Sequence, residues 1–168
     1  MEPRRHSQRL YAAAMVRGMG AVSEYATTVV RLFAGHAESV IWFSSPVPYE
    51  ETQLDIQLIA DLQAWEASYY AGLTSDYSWR IPGLGAGFLA DGARLARWFA
   101  DQIGDDFQVE YDVGQSSRRV RGAGPARNPA AAAAFHRLAT AARGGWAELR
   151  QVVEQAAEDG DTLEWRAD

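Results

Sequence analysis

The sequence predicts one α+β domain over residues 1–168, with the element order α-β-α-α-β-β-α-β. A small mixed or antiparallel sheet is packed by four main helices, the last of them long. Three observations carry this expectation. Several stretches repeat apolar residues at spacings of three and four, one stretch alternates apolar and polar residues strictly, and one short run is apolar throughout. A chain of 168 residues is the size of a single domain and buries a core without covalent staples. With 48% apolar and 23% charged residues, its composition is that of a folded protein.

Residues 8–34 are predicted helical. Leu10, Tyr11, Ala14, Val22, Tyr25, Val29, Leu32 and Phe33 follow the helical spacing, Arg17, Glu24 and Arg31 fall opposite, and Gly35 suits a C-cap. Gly18 and Gly20 each weaken that helix by about 1 kcal/mol and mark a kink or break. Residues 40–43, Val-Ile-Trp-Phe, read as a strand buried on both faces near the middle of the sheet. Pro46 and Pro48 then impose a loop. The clearest helix spans 52–72, where Leu54, Leu58, Leu62, Trp65, Tyr69 and Leu73 form one stripe. Its opposite face carries Gln53, Gln57, Ala60, Ala64, Ala67 and Ala71, small or neutral residues that accept a second packing element.

Residues 73–83 form a loop. A helix over about 85–103 buries Phe88, Gly92, Leu95, Ala96, Phe99 and Ile103, pairs Asp91 with Arg94 and Arg97 with Asp101, and stops at Gly104. Phe107, Val109, Tyr111 and Val113 alternate with Gln108, Glu110 and Asp112, the pattern of a half-buried strand. Gly114-Gln115-Ser116 turns the chain into a return strand at 117–121. Asn128 as N-cap and Pro129 at the first helical position start the last helix. Phe135, Ala142, Leu149 and Ala156 keep a seven-residue phase, as do Ala139, Trp146 and Val153, straight through Gly144-Gly145. A helix hairpin has no reason to preserve that phase, so one helix over 129–158 is expected, with an edge strand at Leu163 and Trp165 after it.

The composition excludes several chemistries. There is no cysteine, hence no disulfide, thiolate metal site or cysteine nucleophile. All 16 basic residues are arginine, so no lysine serves a phosphate loop or a Schiff base. Coding bias accounts for that usage, and selection against lysine-directed tagging is the other reading. The net charge of −6 disfavours nucleic acid and anionic membranes as partners. No apolar run is long enough to span a bilayer and the basic N-terminus lacks a clean apolar follow-on, so the expected location is cytoplasmic.

No catalytic, metal or cofactor motif emerges. His6, His36 and His136 match no metal spacing. Gly83-Leu84-Gly85-Ala86-Gly87 follows a loop rather than a strand, so it reads as a connector into a helix and not as a dinucleotide fingerprint. Asp55 and Glu66 fall inside the apolar arc of the 52–72 helix, about 16 Å apart along its axis, too far to form a dyad. Each is expected to meet an arginine at the border of the core, the alternative being a lining role in a cleft. Arg118, Arg119, Arg121 and Arg127 form the basic cluster. Cross-strand pairing with Glu110 and Asp112 is the expected role, and a phosphate site at the Asn128-Pro129 helix start is the alternative.

The loop 74–82 is the most suggestive surface. Asp76, Tyr77, Trp79 and Arg80, next to Tyr69 and Tyr70, include the residue types that dominate interface hot spots. The expected function is therefore a non-catalytic acidic protein-binding module, of an inhibitor or immunity type or an assembly component, contacting its protein partner through Tyr70, Asp76, Tyr77, Trp79 and Arg80. The alternatives are an enzyme using Asp55, Glu66, Asp76 or His136 in a cleft, and an anion or nucleic-acid binder through 118–127. On the binding reading Trp79 is dispensable to the core and truncating it costs about 1 kcal/mol or less; the other reading is that Tyr77 and Trp79 fold back to cover the core, where truncating Trp79 costs about 3–5 kcal/mol.

Overall fold

A computed structural model of the chain describes residues 23–35 and 37–158. After a 3-10 turn at Glu24–Ala26 come strands β1 (Val29–Leu32) and β2 (Ile41–Trp42). Helices α1 (Tyr49–Thr52), α2 (Ile56–Gly72) and α3 (Leu84–Ile103) follow, then β3 (Gln108–Asp112), β4 (Ser117–Val120) and helix α4 (Pro129–Glu158). The four strands form one mixed sheet in the order β2-β1-β3-β4. β1 and β3 run parallel, and the two outer pairs are antiparallel. The fold is α+β, with α1, α2 and α3 making the long crossover that a parallel pair requires.

The first strand corrects the N-terminal expectation. Residues 29–32 are the inner strand β1 rather than the end of a helix. Thr27, Thr28, Val29 and Val30 are all β-branched, which favours an extended chain over a helix. Val29 and Val30 are both fully buried, on opposite faces of the sheet. The remainder of the expected first helix, 8–22, lies outside the described residues, as do His6, His36 and the expected strand at Leu163 and Trp165.

Val40, Ile41 and Phe43 are buried as expected and Trp42 partly so, but among the described strands this one lies at the edge of the sheet. Ile41 and Trp42 pair with Leu32 and Arg31 of β1 alone. The run is apolar because other rings and helices cover it: Phe43 packs edge-on against Phe107 and Phe135, with ring centroids 6.2 and 6.3 Å apart. Pro46, which has no N–H to give a sheet, sits beside Trp42 at the margin. The buried Ser39 hydroxyl closes the bend by donating to the Val47 carbonyl at 2.5 Å and accepting from the Ile41 N–H at 3.1 Å.

The helix expected over 52–72 begins four residues later. Thr52 ends α1, Gln53 takes a left-handed conformation at φ 55°, and Asp55 stands at the N-cap of α2. α2 and α3 pack together and α3 lies on β3. The interior joins Leu58, Leu62 and Trp65 of α2 to Leu95, Phe99 and Ile103 of α3 and to Phe135 of α4. Gly104, at φ 84°, stops α3 as the sequence indicates.

α4 runs unbroken through Gly144-Gly145, as the phase of its apolar residues predicts. The Asn128 carboxamide oxygen accepts from the Ala131 N–H at 3.2 Å, which makes it the N-cap. Its amide nitrogen donates to the Gln53 carbonyl at 2.8 Å and to the Gln102 side chain at 3.2 Å. Thus one asparagine fastens the starts of α2 and α4 to the end of α3.

Candidate partner-binding surface

The α2–α3 loop is a closed structure. Leu73 and Trp79 form a β-bridge, the Thr74 N–H donates to the Ser78 carbonyl at 2.8 Å, and Tyr77 takes φ 62° to complete the turn. The Asp76 carboxylate accepts from the hydroxyls of Thr74 and Ser78. These contacts, the Thr74 hydroxyl first, hold its carboxyl below the usual carboxylate range. Arg80 secures the loop to the C-terminus of α2, its backbone N–H donating to Gly72 O at 2.9 Å and its Nε to Leu73 O at 2.7 Å. A guanidinium there also complements the helix dipole.

Trp79 is half-buried in a slot between two glycines. A Cβ on Gly72 would stand 2.8 Å from the Trp79 ring, and one on Gly85 would stand 2.7 Å from its Nε1. The indole meets Tyr69 edge-on at 5.9 Å and Phe88 at 5.5 Å. Phe88 stacks in turn on Trp65, centroids 4.5 Å apart and planes within 8°. Trp79 is thus part of an aromatic layer beneath the loop, a placement that favours the reading in which it folds back to cover the core over the one in which the fold can spare it. The close backbone approach at Gly72 and Gly85 is the physical reason.

The outward residues differ from those that build the loop. Tyr77 is 70% exposed, Ile81 60%, Leu84 40% and Tyr70 37%. Of the five residues singled out in the sequence, Asp76, Trp79 and Arg80 shape and anchor the loop, while Tyr70 and Tyr77 present apolar surface. Ile81 and Leu84, which the composition of the loop does not single out, join them. Two large apolar residues flanking Pro82-Gly83, where no periodicity demands them, are the signal that points to this pair.

Beside this loop, a shallow open cleft of about 320 Å³ is lined by Gly35, Ala37, Gln63, Glu66, Ala67 and Tyr70. Glu66 is half-buried there. The Tyr70 phenol is pushed up by burial and then by the Glu66 charge. Tyr49 is pushed up to about 12, chiefly by burial, the Glu66 charge adding to it. Asp55 lies elsewhere and meets no arginine among the described residues: its carboxylate accepts from Gln102 Nε2 at 2.8 Å, and its N–H donates to Gln102 Oε1 at 3.0 Å. It stands before the helix and exposed, so the burial inferred from the helical wheel does not apply. His136 is exposed, with Asp106 at 3.1 Å and the Phe107 ring at 4.9 Å. Asp55, Glu66, Asp76 and His136 therefore do not form one site. Among the described residues no three His, Asp or Glu side chains are grouped to hold a metal.

Three arginines of the basic cluster, Arg119, Arg121 and Arg127, make separate contacts. Sheet register places Trp42, Arg31, Glu110 and Arg119 in one row across all four strands. Arg119 Nε donates to Glu110 at 2.8 Å, and its two terminal nitrogens donate to Glu24 at 2.6 and 3.1 Å. Tyr25 covers the row: its hydroxyl donates to Glu110 at 3.1 Å, and the Arg31 and Arg119 guanidinium carbons stand 4.9 and 5.5 Å from its ring centroid. Arg121 donates to the Asp105 carbonyl at 3.1 Å. Of the pairs expected on α3, Asp91 meets Arg94 at 3.7 Å, whereas Asp101 turns to Arg127 at 3.9 Å. Asp112 caps the hairpin by accepting from the Gly114 N–H instead of pairing with an arginine.

Among the described residues, no helix is long and apolar enough to cross a membrane. Comparisons of the chain with protein-family models, with curated proteins and with solved structures find no match.

Proposed function

We propose that the chain is an acidic, non-catalytic protein-binding module of an inhibitor, immunity or assembly type that docks through the α2–α3 loop. One observation carries the reading: Tyr77 and Ile81 are exposed on a loop held by the Trp79 slot and the Arg80 clamp, and Tyr70 and Leu84 are exposed on the helix ends that flank it. Apolar side chains on a rigid support dock at low entropic cost, because little is left to order on binding. The shallowness of the cleft supports the same reading over an enzyme, since small-molecule sites enclose most of their ligand. The salt-bridged state of Arg119 weighs against an anion site in 118–127.

The test is photo-crosslinking from positions 77 and 81 in the native cell, followed by binding measurements with the purified partner. Tyr77→Ala and Ile81→Ser should each weaken that complex by about 2 kcal/mol, with the melting temperature unchanged. Crosslinks no more specific than those from an exposed site on α4, such as Glu148, would remove the proposal.

A further inference from the structure

We infer that the outer edge of β4 takes an extended, acidic segment of a partner protein as an added strand of the sheet, a contact surface additional to the α2–α3 loop. Successive residues of a strand turn their N–H and C=O to opposite sides. The Gln108 N–H donates to the Thr28 carbonyl at 2.8 Å, so Gln108 and Glu110 face β1 while Val109 and Tyr111 face β4. Register sets these two opposite Val120 and Arg118. Arg118 and Val120 therefore commit their backbone groups to β3, and the N–H and C=O of Ser117 and Arg119 point to the outer edge. Among the described strands none lies beyond β4, and Ser117, Arg118 and Arg119 are exposed. The opposite margin of the sheet is closed. There the outward Ile41 carbonyl accepts from the Val47 N–H at 2.8 Å, and the Phe43 N–H donates to the Ser45 carbonyl at 2.9 Å. An open edge of this kind is a template for pairing with another chain.

The charge of the edge selects its occupant. From Val113 to Asn128 the chain carries Arg118, Arg119, Arg121 and Arg127 and no acidic residue, within a protein of net charge −6. The Arg119 side chain is committed to Glu24 and Glu110 on the face that Tyr25 covers. Arg118 lies on the other face, opposite Tyr111, and meets no carboxylate among the described residues. A second copy of this chain would bring one arginine-rich edge to another, and like charges across strands repel. An acidic strand is attracted where a copy is repelled. Arg118 and Val120 bond to β3, so an antiparallel newcomer meets them at the non-hydrogen-bonded positions, where facing side chains come closest. Its residue opposite Arg118 is then a glutamate or aspartate. The residue two places earlier faces Val120, which packs half-buried against the core, and is apolar. The segment so described is Val-x-Glu, with the x residue paired to the backbone of Arg119. A nucleic acid would use the arginines but not the strand register.

Amide NMR on the full chain tests this with a capped peptide of about eight residues, Val-Thr-Glu at its centre and threonine elsewhere. The amides of Ser117, Arg118, Arg119 and Val120 should shift saturably. At saturation, hydrogen exchange at the Ser117 and Arg119 N–H should slow by about tenfold or more. Glutamine in place of the peptide glutamate should weaken binding by about threefold or more. Arg118→Gln should remove that difference with the melting temperature unchanged, and Arg118→Glu should reverse it in favour of a peptide carrying arginine there. N-methylation of the central threonine, whose N–H would donate to the Arg119 carbonyl, should abolish binding. Binding that survives N-methylation, or that is indifferent to Arg118→Gln, overturns the added strand, as does the absence of saturable shifts at 117–120. Shifts there that track protein concentration alone give the edge to a second copy and overturn the acidic partner. A thymidine oligonucleotide that occupies the same amides more tightly than the peptide overturns it in favour of nucleic acid.

Discussion

Replacing Gly92 by alanine should destabilise the protein, although Gly92 sits inside a helix where alanine is intrinsically favoured by about 1 kcal/mol. A Cβ at this position would lie 2.9 Å from Trp65 Cζ2 and 3.4 Å from Cε2. The indole has no room to yield. Its Nε1 donates to the Phe88 carbonyl at 2.9 Å, and its ring stacks on Phe88 at 4.5 Å. Moving it sacrifices a hydrogen bond worth about 1 kcal/mol, and overpacking adds about 1–3 kcal/mol. After the propensity gain, the net loss is about 1–3 kcal/mol. Gly87 is the internal control: it lies in the same helix, at negative φ, and a Cβ there would meet nothing within 4 Å. Gly87→Ala should therefore stabilise by up to about 1 kcal/mol. The assay is urea denaturation of both variants with m held constant, alongside intrinsic tryptophan fluorescence. In a chain of this size the two melting temperatures should separate by about 4–10 °C. A Gly92→Ala protein at least as stable as the native one, with its tryptophan emission unchanged, would refute the tight contact between α2 and α3.

Four further outcomes follow from the same geometry. Gly144→Ala and Gly145→Ala, at helical positions with nothing within 4 Å, should each stabilise by up to about 1 kcal/mol; a fall in the unfolding midpoint would mean the helix is not continuous there. Trp79→Ala should cost about 2–3 kcal/mol because it empties the slot between Gly72 and Gly85, and a loss below about 1 kcal/mol by denaturant midpoint would return Trp79 to the free surface. Arg119→Leu should cost about 2–3 kcal/mol by leaving the buried Glu110 without its cation, whereas Arg119→Leu with Glu110→Leu should recover most of that loss. The Glu24 carboxyl is held below its ordinary value of 4.5, first by the hydrogen bond from Arg119. Its contribution is present above 4.5 and lost as pH falls through the lowered value, so Glu24→Gln should weaken the protein at neutral pH and match the native chain in strong acid. A constant stability difference across that range would exclude this pairing in solution.

Much of the architecture was written in local patterns. The Asn128-Pro129 start of α4, its passage through Gly144-Gly145, the α3 stripe ending at Gly104 and the alternation of β3 each depend on residues a few positions apart, so sequence alone determined them. The uncharged outer face of α2 was equally visible, because helical periodicity assigns it without reference to any other element. What tertiary structure decided was where each strand sits and what each polar group meets. Residues 29–32 carry both helical spacing and β-branched side chains, and pairing with β3 on one side and β2 on the other settled the conflict in favour of a strand. The apolar run at 40–43 became an edge strand because aromatic rings and helices cover it, a circumstance no local pattern encodes. Glu110 could be matched to an arginine from the hairpin, but its place in a row with Arg31 and Trp42 required the parallel register of β1 and β3. The loop showed its composition in the sequence and its division of labour only in the fold. Whether an aromatic side chain faces solvent or fills a slot depends on how closely two backbones approach, and at Gly72 and Gly85 that approach was set by the packing of α2 against α3.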